Sequence, residues 1–325
     1  MHDLSPKLLR SRARDALKAA EHHYDPRRLV LIHVGALLLV NLLSNGLHLF
    51  LDSQIQTTAG LGGLGARTVL QTIQTVLSYA NLLLTPFWQA GFVLLTIRWA
   101  TGQAAGPRDL FSGFRRAGSI ISYQLFYMLL LFALTYAASR VASVIFAMTP
   151  WAAGFLEMVE PAIVDGALDV ELLMELPMDA LLLSYLPMLG IMALILIPLL
   201  IWVGYRFRLA SFFIMEPSAR FGGVSALFAS FRATRGYVGK LFRLDLSWWW
   251  YYALEYLLLG VCYLDYILPA LGIQLPINET AAYFVFLIAY SLLAFALYSW
   301  KQAEVSTTYA LAYREIIQPP AQPEA

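Results

Sequence analysis

Long uncharged stretches separate short polar segments along this chain. Five stretches contain no Asp, Glu, Lys or Arg, and a sixth contains only Glu255 and Asp265. In chain order the six cover residues 29–51, 68–97, 117–139, 180–205, 246–270 and 280–300. About 20 mostly apolar residues let a helix cross roughly 30 Å of hydrocarbon, where every backbone amide must be paired within the segment. The pattern predicts an all-α integral membrane protein, a bundle of about six transmembrane helices.

The basic residues lie almost entirely on alternate connections between these stretches. Of the 22 Lys and Arg residues, only Arg67 and Arg140 lie on the other set of connections. By the positive-inside rule, both termini and the basic loops are predicted to be cytoplasmic. The segment 149–179 carries seven acids and no base, and is predicted to be an acidic outer segment. A hydrophobic fraction of 59% and a mean hydropathy of +0.64 exclude a soluble globular domain.

Two basic amphipathic helices are predicted on the cytoplasmic side. The first belongs to a cytoplasmic segment 1–28, and the second, 222–243, lies within a transmembrane domain 29–316 that precedes a disordered tail, 317–325. Their cations are the candidate anchors to anionic lipid head groups: Arg10, Arg14, Lys18, Arg232, Arg235 and Lys240. For the first helix, packing on the cytoplasmic ends of the spans is an equal alternative.

A short sequence occurs twice in equivalent places. Leu110–Arg115 and Leu227–Arg232 share the pattern Leu-Phe-small-small-Phe-Arg, each between a span predicted to run inward and one predicted to run outward. Chance in a chain rich in Leu and Phe is one explanation. The other is an internal duplication of parallel type, related by an axis along the membrane normal.

Polar side chains inside the predicted spans are the candidate binding residues. On the first two spans they recur every three or four positions, and Glu255 lies near the middle of the fifth. Unpaired amides and acids are costly in hydrocarbon, so these groups either bond to each other between helices or line a hydrated path. The predicted polar cavity contains Asn41, Asn45, His48, Gln71, Gln74, Asn81, Gln89 and Glu255.

The sequence contains no motif typical of catalysis, phosphate binding or metal binding. There is no nucleophile elbow, phosphate-binding Gly loop or metal-type His and Glu spacing, so no catalytic residue, metal or cofactor is predicted. The basic residues are placed as topology determinants, which gives no indication of nucleic-acid binding. We therefore expect a non-enzymatic protein.

Three stretches resemble the bacterial membrane-protein family catalogued as domain of unknown function 975. They are the basic opening Leu9–Lys18, the segment Tyr205–Trp250 with its Leu241-Phe242 and Leu246-Ser247-Trp248 steps, and the closing stretch from Ala303-Glu304 through Tyr309-Ala310 to Ile316. The chain departs from the family pattern at Glu216-Pro217, Ser299-Trp300 and Ile316. The resemblance implies a multi-pass protein of the bacterial cytoplasmic membrane, and it implies no established activity.

Two functions follow as expectations. The first is a permease or exporter component that handles a small amphiphilic or lipid-like molecule through the predicted polar cavity. The alternative is an accessory or scaffold protein that organises lipid or a partner complex, with the polar stripes joining the helices. The expected partners are membrane lipids with anionic head groups at the cytoplasmic face, a small amphiphilic ligand, and an oligomeric or other partner subunit.

Overall fold

A computed structural model describes residues 5–59, 64–164, 167–168, 178–218, 221–273 and 279–317. These residues are almost entirely helical, which confirms the all-α prediction, and their one strand pair joins Ile163–Val164 to Ala167–Leu168. Two 3₁₀ turns, Pro107–Phe111 and Glu160–Ala162, also occur. The helices are α1 (Pro6–Ala20), α2 (Pro26–Ala59), α3 (Leu64–Ala100), α4 (Ser112–Arg115), α5 (Ala117–Ala147), α6 (Pro150–Val159), α7 (Met178–Phe207), α8 (Ala210–Met215), α9 (Gly223–Ala233), α10 (Val238–Ser247), α11 (Trp249–Cys262), α12 (Leu264–Ala270) and α13 (Glu279–Ile317).

Five described segments are long and apolar enough to cross a membrane. They are Pro26–Leu51, Arg67–Ala100, Ala117–Ala147, Leu183–Met215 and Ala281–Ile317. Five of the six predicted spans are therefore found as continuous or nearly continuous helix. α13 has 39 residues, about 58 Å at the helical rise, so it is much longer than the hydrocarbon is thick.

The predicted span 246–270 is not one helix. It is divided among the end of α10, α11 and α12, and α11 with its 14 residues is only about 21 Å long. At Trp248 and Tyr263 the backbone leaves the α-helical region, and each break is closed by a three-residue turn. In those turns the amides of Trp248 and Tyr263 bond to the carbonyls of Asp245 and Gly260 at 2.8 and 3.2 Å.

The predicted inner helix 222–243 is also divided. α9 ends at Ala233 and α10 begins at Val238, with Gly236 between them at φ +82. A positive φ ends a right-handed helix and is readily adopted only by glycine. The local backbone therefore overrides the helical periodicity of the sequence here.

The described chain forms two compact units, residues 1–123 with 208–325, and residues 124–207. The core of the first unit joins side chains from α1, α3, α8, α10 and α13 around Trp248. Its members include Leu9, Ala13, Leu94, Ile97, Ile214, Met215, Leu244, Trp248, Ala310 and Tyr313.

In the second unit α6 packs on α7, with the rings of Phe155 and Tyr185 centred 5.7 Å apart. Glu157 and Glu160 of the predicted acidic segment 149–179 lie in α6 and in the turn that follows it. Residues 165–166 and 169–177 of that segment lie outside the described residues, as do residues 318–325 of the predicted tail. Ile317 is the last residue of α13.

Two glycines let α3 approach the 107–115 segment backbone to backbone. A methyl group on Gly91 would overlap the carbonyl of Leu110, and one on Gly113 would overlap the carbonyl of Phe87. Only glycine fits at either position without a shift of the main chain. This contact fixes the connection between α3 and α5 against the side of α3.

Candidate functional site

The polar stripes of α2 and α3 meet by direct contact. His48 Nε2 lies 3.2 Å from the hydroxyl of Ser78, and the amide of Asn81 lies 3.5 Å from the hydroxyl of Ser44. Asn45 donates to the backbone carbonyl of its own-helix neighbour Asn41 at 2.9 Å. These contacts correspond to the interhelical bonding that is one of the two alternatives for the stripes.

The remaining stripe residues are less engaged by side chains. Gln71 and Gln89 are exposed, and Gln74 is half-buried, with its carbonyl accepting a bond from Ser78 at 3.0 Å. The backbone carbonyl of Gln71 accepts from Thr75 at 2.8 Å.

Glu255 lies at a different level from the stripes. Its carboxylate accepts a hydrogen bond from Tyr298 of α13 at 2.8 Å, whereas Asn45 accepts one from Tyr283 of the same helix at 3.3 Å. Fifteen positions of α13 separate the two tyrosines, about 22 Å of helix. The structure therefore does not bring Glu255 together with the amides of α2 as one polar cavity.

The basic side chains of α1 contact protein groups. Arg10 donates to the carbonyl of Ser247 at 3.1 Å, and its guanidinium lies 5.2 Å from the ring centre of Trp248. Arg14 pairs with Glu304 at 2.8 Å, and this hydrogen bond and charge raise the pKa of Arg14. α1 is thus packed on α10 and α13, the alternative to a helix that lies free in the lipid interface.

The other predicted anchors are more open to solvent. Lys18, Arg232 and Arg235 are exposed, while Lys240 is half-buried and lies 5.4 Å from the ring centre of Tyr237. Whether these cations bind lipid stays a prediction.

A polar network that sequence reasoning missed connects three helical segments of the first unit. Arg208, just after α7, forms an ion pair with Asp245 of α10, and Asp245 also accepts a hydrogen bond from Tyr309 of α13. Tyr309 and Tyr252 share a hydrogen bond at 2.7 Å, and the Arg208 guanidinium lies 4.2 Å from the ring centre of Tyr309. The cation and the carboxylate neutralise each other, the Tyr309 hydroxyl donates to the carboxylate, and the Tyr252 hydroxyl extends the network from Tyr309.

A cavity of about 220 Å³ lies against this network. Its exposed lining is mostly apolar, and four polar side chains, two hydroxyls, a phenol and the guanidinium, also border it. Its lining residues are Phe92, Val93, Thr96, Arg208, Leu209, Phe212, Ser306 and Tyr309. The volume holds roughly seven groups of the size of a water molecule, so the cavity suits one end of a small amphiphile better than a whole drug-sized ligand.

The sequence carried an indirect signal for this site. The three stretches that resemble the membrane-protein family touch one another in the structure, since Arg14 pairs with Glu304, Asp245 meets Tyr309, and Arg314 lies 3.5 Å from Glu216. Each motif was short, and nothing in its spacing indicated which motif residues would be neighbours.

Comparison with known proteins returns no match: no family model, no curated protein and no solved structure aligns with this chain at a significant level.

Proposed function

We propose that this chain is a multi-pass membrane protein that binds a small amphiphilic or lipid-like molecule, as a permease or exporter component. The observation that carries the proposal is the cavity beside Arg208 and Tyr309, whose mostly apolar lining is bordered by polar side chains. An amphiphile needs both kinds of surface, because its tail gains by leaving water and its head loses unless it keeps polar partners.

Exposed apolar side chains support a lipid environment. Leu43 of α2, Leu194 of α7 and Leu292 of α13 are 64%, 79% and 66% exposed. Soluble monomers rarely present contiguous apolar surface of this kind, whereas the same surface facing lipid carries no cost.

Chain parity supports six crossings with both termini on one side. Arg10 of α1 bonds to Ser247, and Arg14 of α1 bonds to Glu304 of α13, so Ser247 and Glu304 lie beside the same helix. Between these two residues α13 supplies one crossing, and the chain can return to α1 only if it crosses once more. The divided segment α11 and α12 is the remaining candidate, and the positive-inside rule assigns α1 to the cytoplasmic side.

Ligand binding is tested by filling the cavity from α13. Ser306→Leu places a branched side chain at the cavity wall, and Ser299→Leu makes the same change two turns earlier on α13. Each variant, purified in detergent, is titrated with dodecanoic acid and examined by native mass spectrometry. We expect Ser306→Leu to weaken retention about tenfold, equivalent to about 1.4 kcal/mol, and Ser299→Leu to bind like the natural protein.

The same assay separates the cavity from the predicted polar site. Glu255→Gln and Asn81→Leu should leave dodecanoic acid binding unchanged if the cavity holds the ligand. Loss of binding in these two variants, with Ser306→Leu unaffected, would assign the ligand to the predicted polar residues. Unchanged binding in all the variants would remove the proposal.

The scaffold alternative is favoured by one observation, the direct bonding of the stripes. The contacts of His48 with Ser78 and of Asn81 with Ser44 are what a bundle joined by its polar side chains requires. A scaffold predicts that Asn81→Leu lowers the melting temperature in detergent while no amphiphile is retained by the natural protein.

A further inference from the structure

We propose that the repeated hexapeptides form a matched pair of lipid-docking segments, each of which places Phe rings at the bilayer surface and an Arg on the phosphate of an anionic phospholipid. The foot segments are Leu110–Arg115 and Leu227–Arg232. The inference rests on the membrane placement proposed above, and it is independent of the cavity beside Arg208.

The two foot segments match in exposure at five of six positions, and differ at the fifth, where Phe114 is exposed and Phe231 is half-buried. The leading Leu110 and Leu227 are buried at 0% and 1% relative exposure, and Phe111 and Phe228, which follow, are both 55% exposed. The fourth residue of each segment is buried and the last, an Arg, is exposed. This agreement is what an internal duplication would leave, although Leu110–Arg115 is divided between a 3₁₀ turn and α4 whereas Leu227–Arg232 lies within α9.

Each foot segment is held through its small fourth residue. Gly113 lies against the carbonyl of Phe87 in α3, and the Ser230 hydroxyl accepts a hydrogen bond from the backbone amide of Leu209 at 3.2 Å. In both cases the partner is the main chain of the candidate span that precedes the segment, Arg67–Ala100 or Leu183–Met215. The leading Leu and the small residue thus face the protein, and the Arg side chains are exposed. Phe111 and Phe114 keep 55% and 41% exposure while their rings also contact Trp88 and Phe87 of α3, with centres 5.1 and 5.4 Å apart.

The charge around the foot segments is suited to an anionic surface. Asp109, Asp245 and Glu216, the acids nearest in sequence, pair with Arg98, Arg208 and Arg314. Among the described residues neither Arg115 nor Arg232 forms an ion pair, although Arg232 Nε lies 3.4 Å from the Phe228 carbonyl. The acids are therefore neutralised by other cations, and the positive charges of Arg115 and Arg232 remain on the exposed side of the foot segments.

The combination of phenylalanine and arginine side chains favours an anionic lipid interface as the partner of the foot segments. An open groove of about 440 Å³, large enough for part of an acyl chain, is lined by Ser225, Phe228, Phe231 and Arg232. Aromatic rings partition to the head-group level and basic residues are drawn to anionic lipid there. Leu110–Arg115 is followed directly by the candidate span Ala117–Ala147, and Leu227–Arg232 contacts the end of the candidate span Leu183–Met215 through Leu209, so both segments lie beside span ends, where head groups would be.

Depth of the foot segments is measured with a label. Phe111→Cys, Phe228→Cys and the loop control Gln103→Cys are made in a Cys262→Ser background, labelled with a fluorophore, and reconstituted into vesicles of phosphatidylglycerol and phosphatidylcholine. We expect a nitroxide near the lipid head group to quench both foot labels strongly and to equal extent, and the control weakly. Foot labels that behave like the control would overturn the proposal, as would protection seen only in cells, which would indicate a protein partner.

Charge is tested separately by lipid retention. Arg115→Gln with Arg232→Gln is compared with Arg67→Gln plus Arg140→Gln, which removes two cations predicted on the opposite face. Native mass spectrometry then gives the preference for phosphatidylglycerol over phosphatidylcholine. We expect that preference to fall about fivefold per foot arginine and to be unchanged in the control. An unchanged preference in the foot variant contradicts the phosphate assignment even if the dodecanoic acid result stands.

Discussion

The strongest individual interactions of the first unit are charge pairs that lie partly inside the protein. Arg208 and Asp245 retain 28% and 19% of their side-chain exposure, so solvent screens them only in part. Removing one partner of such a pair leaves a charge without compensation, which costs more than the pair itself contributes. We therefore expect the loss of the Asp245 carboxylate, which also accepts a hydrogen bond from Tyr309, to lower the free energy of unfolding most.

Asp245→Asn should destabilise the protein by about 2 to 3 kcal/mol, because Arg208 loses its counter-charge. The measurement is reversible unfolding in mixed detergent, followed by circular dichroism. Asp15→Asn, at an exposed position of α1, is the control and should change stability by less than about 0.5 kcal/mol. Equal effects of the two substitutions would show that the ion pair contributes nothing.

Close backbone contact gives a second residue-level prediction. Gly113→Ala should cost about 1 to 3 kcal/mol, since its methyl group would overlap the Phe87 carbonyl and force α4 away from α3. Gly46→Ala is the matched control, because that position lies within α2 with no atom within 4 Å of the added carbon. There alanine should be neutral or stabilising. The same unfolding assay compares the two, and a neutral Gly113→Ala would contradict the close contact.

At the scale of the element, the sequence predicts length better than continuity. The uncharged stretches correctly indicate α2, α3, α5, α7 and α13, because hydrocarbon-length apolar runs have few alternatives to helix. They do not indicate the breaks at Trp248 and Tyr263. Such breaks depend on three-residue turns and on burial of Trp248, which is 1% exposed. The hydrophobic periodicity of the sequence indicates neither of these.

The hydrophobic pattern of the sequence also did not predict contacts between elements that are distant along the chain. Arg208 and Asp245 are ordinary members of a basic loop and of a short motif, 37 positions apart, and their pairing exists only in the folded first unit. In contrast, the predicted residues His48 and Asn81 followed helical spacing on consecutive helices, whereas Ser44, the partner of Asn81, was not among the predicted residues. Hydrogen bonding between the two helices was therefore one of the two alternatives that the sequence predicted.

The turn between α9 and α10 gives a prediction at the element scale. Gly236→Ala should cost about 1 to 2 kcal/mol, because the left-handed backbone at φ +82 crowds a Cβ. Gly239→Ala, three residues later in α10 with open space around its added carbon, should be neutral or slightly stabilising. Thermal unfolding in detergent compares the two. Equal stability of both variants would argue for a continuous helix over 222–243, as the sequence alone predicts.

For the whole molecule, the contacts of α1 constrain the proposed membrane topology. If α1 lies at one face of a bilayer, as proposed, the chain segments that touch it share its compartment. These include Ser247, Glu304 and Glu315, the last through its ion pair with Arg12. Five crossings would separate the ends of the chain, and an even number keeps them together.

Cysteine labelling tests this parity in a Cys262→Ser background. Arg235→Cys lies between α9 and α10, and Ile273→Cys lies just after α12, at a residue 50% exposed. If α11 and α12 together cross the membrane, an impermeant maleimide should label Ile273→Cys only in intact cells and Arg235→Cys only in inverted vesicles. Labelling of both from the same side would mean that the divided segment turns back, and α13 would then have to begin and end in one compartment. Such a helix could not cross the bilayer, so that outcome would overturn the six-span arrangement and the membrane position of the longest helix together.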